Sequence, residues 1–194
     1  MSTATEVPPK AIVTLLEADL AQPREWDGWP ELHLIYGHTF GYVMVPMLVP
    51  LGLWEAAGHP VQVLWGIAEM ARRTPMLVAR MVAEVNVPGG GLLLGLALRA
   101  EAWMGEDMAE EEADQVDAGK LLIRDLPDRF EVRFSAAADV AGTHYMVNLK
   151  RADGTITSAH TGADGDLEAA AGRVPEALAE CLQGLLHAQG AMYS

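Results

Sequence analysis

The sequence predicts an α+β fold: a single, mainly antiparallel sheet of five or six strands with about four helices packed on it. Three observations carry this. Gly89–Met104 is the most apolar run of the chain, and its residues 92–103 read with period two offer a covered surface on both sides. Phe130 to Lys150 alternates cleanly around a short Gly-containing loop, the pattern of a hairpin. Four further stretches instead repeat apolar residues at three- and four-residue intervals, the pattern of helices with one buried side.

The first of these helices opens at Pro8-Pro9, where a missing N–H is harmless, and runs to about Ala21. Ile12, Leu15, Leu16 and Leu20 line one side, and Glu17 and Asp19 are expected off it. After Pro23 comes a turn region, Trp26-Asp27-Gly28-Trp29-Pro30, whose rings are expected to cover one end of the core. Leu32–Gly37 and Phe40–Val45 then read as a hairpin, with Pro46 ending the second strand or placing it at an edge. Pro50–Ala57 is expected to make one helical turn. A longer helix begins at His59-Pro60 with Val61, Leu64, Trp65 and Ala68 inward, and Thr74-Pro75 starts another with Leu77, Val78, Met81, Val82 and Val85 inward.

The central run then opens after three glycines. Leu92, Leu94, Leu96, Leu98, Ala100 and Ala102 share one expected face, and Leu93, Gly95, Ala97, Arg99, Glu101 and Trp103 the other. Its Leu, Ala, Arg and Glu content would also suit a helix. Arg99 and Glu101, however, fall about 200° apart on a helix and on one side of a strand. Lys120–Ile123 reads as a short strand, and Asp153-Gly154 turns the chain into a last one at Thr155–Ser158. A final helix opens at Pro175 with Leu178, Cys181, Leu182 and Leu185 inward and ends near Gly190. Residues 8–190 are thus expected to form one domain, preceded by a disordered N-terminus at 1–7 and interrupted by an acidic mobile loop at about 105–119.

Composition narrows the function classes. The 194 residues are enough to bury roughly 70% of the unfolded surface without a disulfide or metal staple. The single Cys181 excludes an intrachain disulfide framework and a CxxC-type zinc site. The opening MSTATEVPPK lacks a secretory pattern, and the longest apolar window, Tyr42 to Trp54, is interrupted by Pro46 and Pro50. A cytoplasmic protein with no membrane partner is expected. The net charge is −14, of which the seven acidic side chains of residues 105–119 supply half. Such a balance argues against direct nucleic-acid binding, which needs clustered Lys and Arg. It leaves room for an acidic mimic of DNA displayed by residues 106–117.

Motifs for chemistry are sparse. There is no H-E-x-x-H, no H-x-H, no calcium-loop spacing and no G-x-S-x-G, so no metal, cofactor or catalytic residue is assigned. Gly89-Gly90-Gly91 stands between a helix and a strand rather than at a helix N-terminus, so it makes no phosphate cradle. Ser135, His144 and Asp139 could be assembled into a triad, but no spacing favours that set. The polar end of the central run is the best candidate site. Arg99 and Glu101 share a face with Trp103, and Glu131 and Arg133 of the next hairpin could meet them across strands. One reading is a ladder of ion pairs. Another is a small-molecule site or enzyme in which Glu101 serves as a base or anchor beside an aromatic wall. Trp26 and Asp27 complete the candidate set.

The order of these features resembles an uncharacterised family of actinobacterial and actinophage proteins. The matching stretches are Trp26–Pro30, Pro60–Ala68, Gly95–Trp103, Phe130-Glu131-Val132-Arg133 and Gly172–Leu178. Trp29 stands where that pattern has proline. The resemblance implies an α+β fold and an actinobacterial or phage origin, and no particular activity. Ten methionines and the several aromatics are part of the basis for a leading expectation of a non-enzymatic protein that binds a protein partner or forms a homo-oligomer.

Overall fold

The structure, a computed structural model, describes residues 8–83, 91–105, 115, 121–161 and 173–191. Expectations for residues 1–7, Val85, the glycines at 89 and 90, nearly all of the acidic stretch and residues 162–172 lie outside these. The elements run α1 (Pro9–Leu20), β1 (Glu31–His38), β2 (Gly41–Met47), α2 (Leu51–Ala56), α3 (Pro60–Arg73), α4 (Pro75–Ala83) and β3 (Leu92–Gly105). They continue with β4 (Arg129–Asp139), β5 (His144–Lys150), β6 (Ile156–His160) and α5 (Arg173–Ala191). All six strands join one antiparallel sheet in the order β2-β1-β3-β4-β5-β6. The expected α+β architecture is therefore present, with β3 at its centre and a hairpin on either side.

The sheet is covered unequally. On one face α5 packs against β3, β4 and β5, α3 and α4 pack against α5, and the three helices share one apolar cluster with Leu32, Leu34, Leu96, Leu98, Phe134 and Ala136. On the other face α1, the one described helix there, places Ile12, Leu16 and Leu20 over Ile35, Ala97, Ala137, Tyr145 and Val147. This explains why β3 is apolar on both sides: residues 93–100 are all buried. The α3–α5 contact is close because Gly184 sits against Ala68 and Ala71, with an added Cβ only 3.1–3.3 Å from them. Arg72 of α3 pairs with Glu180 of α5 at the rim of that contact. Among the described residues no helix is long and apolar enough to cross a membrane.

Several local expectations are corrected. The pairing of β1 with β3 shifts between Ile35 and Tyr36, so Leu94 is an extra residue in β3. Leu93 consequently joins the α3–α5 side with Leu96 and Leu98, while Leu94 joins the α1 side with Ala97, opposite to the strict alternation. The side chain of Leu94 lies over Gly37, where a Cβ would collide with it. In α3 the buried stripe holds Val61, Leu64 and Ala68 as expected but adds Val63, Ile67 and Ala71, and Trp65 faces outward. In α4 Ala79 is buried and Leu77 is exposed. Asp19 is buried rather than off the apolar side of α1. Phe40 is in the turn, not in β2, and is 93% exposed. Pro46 lies within β2, an edge strand, where its missing N–H breaks no ladder. Among the described residues of 120–123 there is no strand; a 3-10 turn at Ile123–Asp125 takes its place.

One buried polar group explains the tight β4–β5 connection. The Asp139 carboxylate accepts the backbone N–H groups of Ala141 and Thr143 and, at 2.6 Å, the Tyr145 hydroxyl. Burial and this carboxylate both push the Tyr145 hydroxyl well above its usual pKa. Asp139 therefore holds a turn, and no triad with Ser135 and His144 forms around it: Ser135 Oγ has no hydrogen-bond partner among the described residues.

The bulge region gives a direct test. A Cβ at Gly95 would lie 2.9 Å from the Ala138 carbonyl oxygen, which belongs to the paired backbone of β4 and cannot move alone. Gly95→Ala is expected to lower unfolding free energy by about 1–3 kcal/mol in urea titration, the usual cost of overpacking. An unchanged midpoint would show that β3 and β4 are further apart than described.

Candidate functional site

The candidate residues converge where the α1 face of the sheet meets the connection between α1 and β1. Arg99, Glu101 and Trp103 alternate onto this face from β3, and Ser135, Arg133 and Glu131 stand opposite them on β4. Two linked charge clusters result.

The first surrounds Arg99, which is only 5% exposed. Its Nη1 donates to both Asp19 oxygens at 3.2 and 3.1 Å, and its Nη2 pairs with Glu31. Arg24 joins the same two carboxylates from outside, at 3.3 Å to Asp19 and 3.2 Å to Glu31. His33 is buried beside them, its Nε2 3.6 Å from Glu31. Its pKa is lowered: burial disfavours the imidazolium more than the neighbouring Asp19 and Glu31 favour it. Asp19, Arg24, Glu31 and His33 lie outside the candidate set that the sequence suggests. A signal existed for one: Asp19 is the i+7 position of the stripe that starts at Ile12, and a charge there requires a buried partner.

The second cluster surrounds Arg133, also 5% exposed. Its Nε and Nη2 donate to Glu101 Oε1 at 3.1 and 2.7 Å, and its Nη2 also reaches the Glu25 carbonyl. The other Glu101 oxygen accepts the Asp27 N–H at 2.7 Å. Asp27 adopts a left-handed φ of 67°, a conformation Asp tolerates better than most residues. Both Arg133 and Arg151 lie over the Trp26 ring, at 4.6 and 4.9 Å from its centre. Arg151 in turn pairs with Glu131 at 2.7 Å and Asp27 at 3.6 Å.

The expected cross-strand pairing is present for Glu101 and Arg133. Arg99, by contrast, pairs with α1 and β1 rather than with Glu131. Trp103 stands apart from the guanidinium of Arg133 and instead lies under Arg129, 5.4 Å away. Trp26, not Trp103, is thus the ring that faces the Arg133–Glu101 pair.

What this arrangement can do chemically is limited by its own pairing. Ligand oxygens of Asp27, Glu101 and Glu131 fall within 4.8 Å of one another, a spacing open to a cation. Yet Arg133 and Arg151 already meet their charge. The adjoining cleft, lined by Arg24, Gly28, Trp29, Glu31, Arg99, Glu101 and Arg133, measures about 90 Å³. Pockets for small organic ligands usually measure about 300–1,000 Å³. Comparison of the chain with protein families, curated proteins and solved structures finds no match.

The clusters generate two predictions. Arg99→Ala leaves Asp19 buried with Arg24 as its remaining ion-pair partner and is expected to cost about 3 kcal/mol, the low end for a broken buried pair. The double change Asp19→Leu with Arg99→Met should recover most of that loss in chemical denaturation, because it removes both charges together. Separately, the lowered pKa values of His33 and His59 mean that the unfolded chain takes up protons first. Their contribution to stability is complete above the unfolded value of about 6.5 and is lost as pH falls below it. The melting temperature should fall from pH 7 to pH 5, and His33→Gln should flatten that slope; an identical slope would remove His33 from the account.

Proposed function

We propose that the protein works through protein contacts, binding a component of an actinobacterial cell or its phage, with the groove between α2 and α3 as contact surface. The observation that carries this reading is the groove itself. It encloses about 400 Å³ and is lined by Leu53, Ala56, Val63, Gly66, Ile67 and Met70, with Gln62 the one polar side chain among its described lining residues. Leu48, Leu51, Leu53 and Trp65 are exposed on the same elements or just before them. A run of large apolar side chains left in water costs free energy that a partner would recover, at about 25 cal/mol per Å² covered.

The competing reading, a small-molecule site or enzyme at Arg99, Glu101 and Trp103, has less support. Every buried charge there is spent on another residue of the chain, and the cleft is several times too small for a typical organic ligand. The DNA-mimic reading depends on residues 106–117, which, apart from Gln115, lie outside the described residues.

Gly66 provides a clean test because nothing lies within 4 Å of an added Cβ there and a helix gains stability when an exposed glycine is replaced. Gly66→Glu with Leu53→Asp should keep the melting temperature of the unaltered protein. In affinity capture from the native host, a protein retained by the unaltered chain should be lost from this variant. Retention of the same proteins by both forms, or of none by either, would sink the proposal.

A further inference from the structure

The two edges of the sheet are not equivalent. β2 is protected from edge pairing by Pro46, which offers no N–H. β6, with the sequence Ile156-Thr157-Ser158-Ala159-His160, has no proline and no Lys, Arg, Asp or Glu in a chain of net charge −14. Its pairing with β5 fixes which backbone groups it leaves over. Lys150 N–H donates to the Thr155 carbonyl and Thr161 N–H donates to the His144 carbonyl. Residues 155, 157, 159 and 161 therefore turn their backbone groups toward β5. Ile156 and Ser158 turn theirs outward, and no described residue pairs with them. Their side chains share the α1 face of the sheet, since they stand opposite Leu149 and Val147. Both are exposed.

The geometry points to β6 as a homodimer interface, in which β6 of one copy pairs antiparallel with β6 of a second copy to continue the sheet. A second copy is the occupant these features select. An antiparallel pair of identical strands related by a two-fold axis satisfies both edges at once and needs no other complementary surface. Placed with the axis at Thr157, Ile156 of each copy faces Ser158 of the other. Each such pair exchanges two N–H···O=C bonds, four in all. No like charges meet across the pair, so the negative charge of the rest of the chain opposes this approach least at β6. A five-residue strand is a small contact, so the dimer is expected to be weak, with a micromolar dissociation constant. This interface is separate from the α2–α3 groove, and either can fail without the other.

The test is sedimentation equilibrium on the full chain together with two variants. Ser158→Pro removes an outward N–H only, so it leaves the β5–β6 ladder intact while blocking the pair. Ile156→Lys places on the edge the charge that natural edge strands use against pairing. The unaltered chain is expected to dimerise reversibly, and each variant to weaken the dimer at least about tenfold at unchanged circular dichroism and melting temperature. Should one variant lose its fold, the other decides. A chain that stays monomeric throughout the micromolar range, or a dimer indifferent to whichever variants fold, overturns the proposal.

Discussion

The buried guanidinium of Arg99 is the constraint on which the α1 side of the structure depends. A cation taken out of water at the middle of a sheet costs several kcal/mol unless opposite charges meet it with good geometry. Its two partners come from different places: Asp19 from the last turn of α1, Glu31 from the first residue of β1. Satisfying Arg99 therefore fixes both the position of α1 and the path of the connection from 21 to 30. That connection then brings Trp26 and Asp27 over the second guanidinium, Arg133. The apolar stripe of α1 holds the helix down, but nonpolar contact has little directional preference. The carboxylate of Asp19 sets where along the sheet it stops.

Much of this fold was legible in the sequence because period and punctuation agreed. The alternation from Phe130 to Lys150 and the proline-marked starts of α1, α3 and α4 agree closely with the observed elements. The misses have specific causes. Strict alternation runs straight through Leu94 in the sequence because nothing in a run of leucines marks a bulge; only the partner strand shows that a residue has been added. Trp65 and Leu77 have the spacing of buried positions and are exposed, because the α3 stripe is filled instead by the smaller Val63, Ile67 and Ala71. Within the site, Glu101–Arg133 was accessible because both lie on strands whose pairing could be guessed. Asp19 and Glu31 were not, since they reach Arg99 from elements separated from it by more than sixty residues.

The same network explains why the polar end of β3 drew attention and why it makes a poor receptor. Perturbed and buried charges are frequent at active sites, but structural ion-pair networks produce the same signature. What separates the two here is completeness. Each guanidinium has carboxylates at hydrogen-bonding distance, and the aromatic surface of Trp26 is occupied by Arg133 and Arg151. The apolar surface between α2 and α3 presents the reverse condition, with side chains whose burial is unfinished. The two regions also sit on opposite faces of the sheet, so a partner at the groove would approach the side that carries three helices.

The extra residue at Leu94 divides β3 into two reading frames. Downstream of it, every side is committed: Leu96 and Leu98 toward the three helices, Arg99 and Glu101 toward α1. Loss of one residue from that half would turn the two charges into the apolar layer of Phe134 and Ala136, where no carboxylate or guanidinium awaits them. Upstream, the bulge acts as slack. A residue gained or lost before Leu94 can be absorbed by redrawing the bulge, with the charged half of the strand left in phase. Length variation among relatives of this chain should therefore be tolerated at the entrance to β3 and forbidden from Gly95 onward.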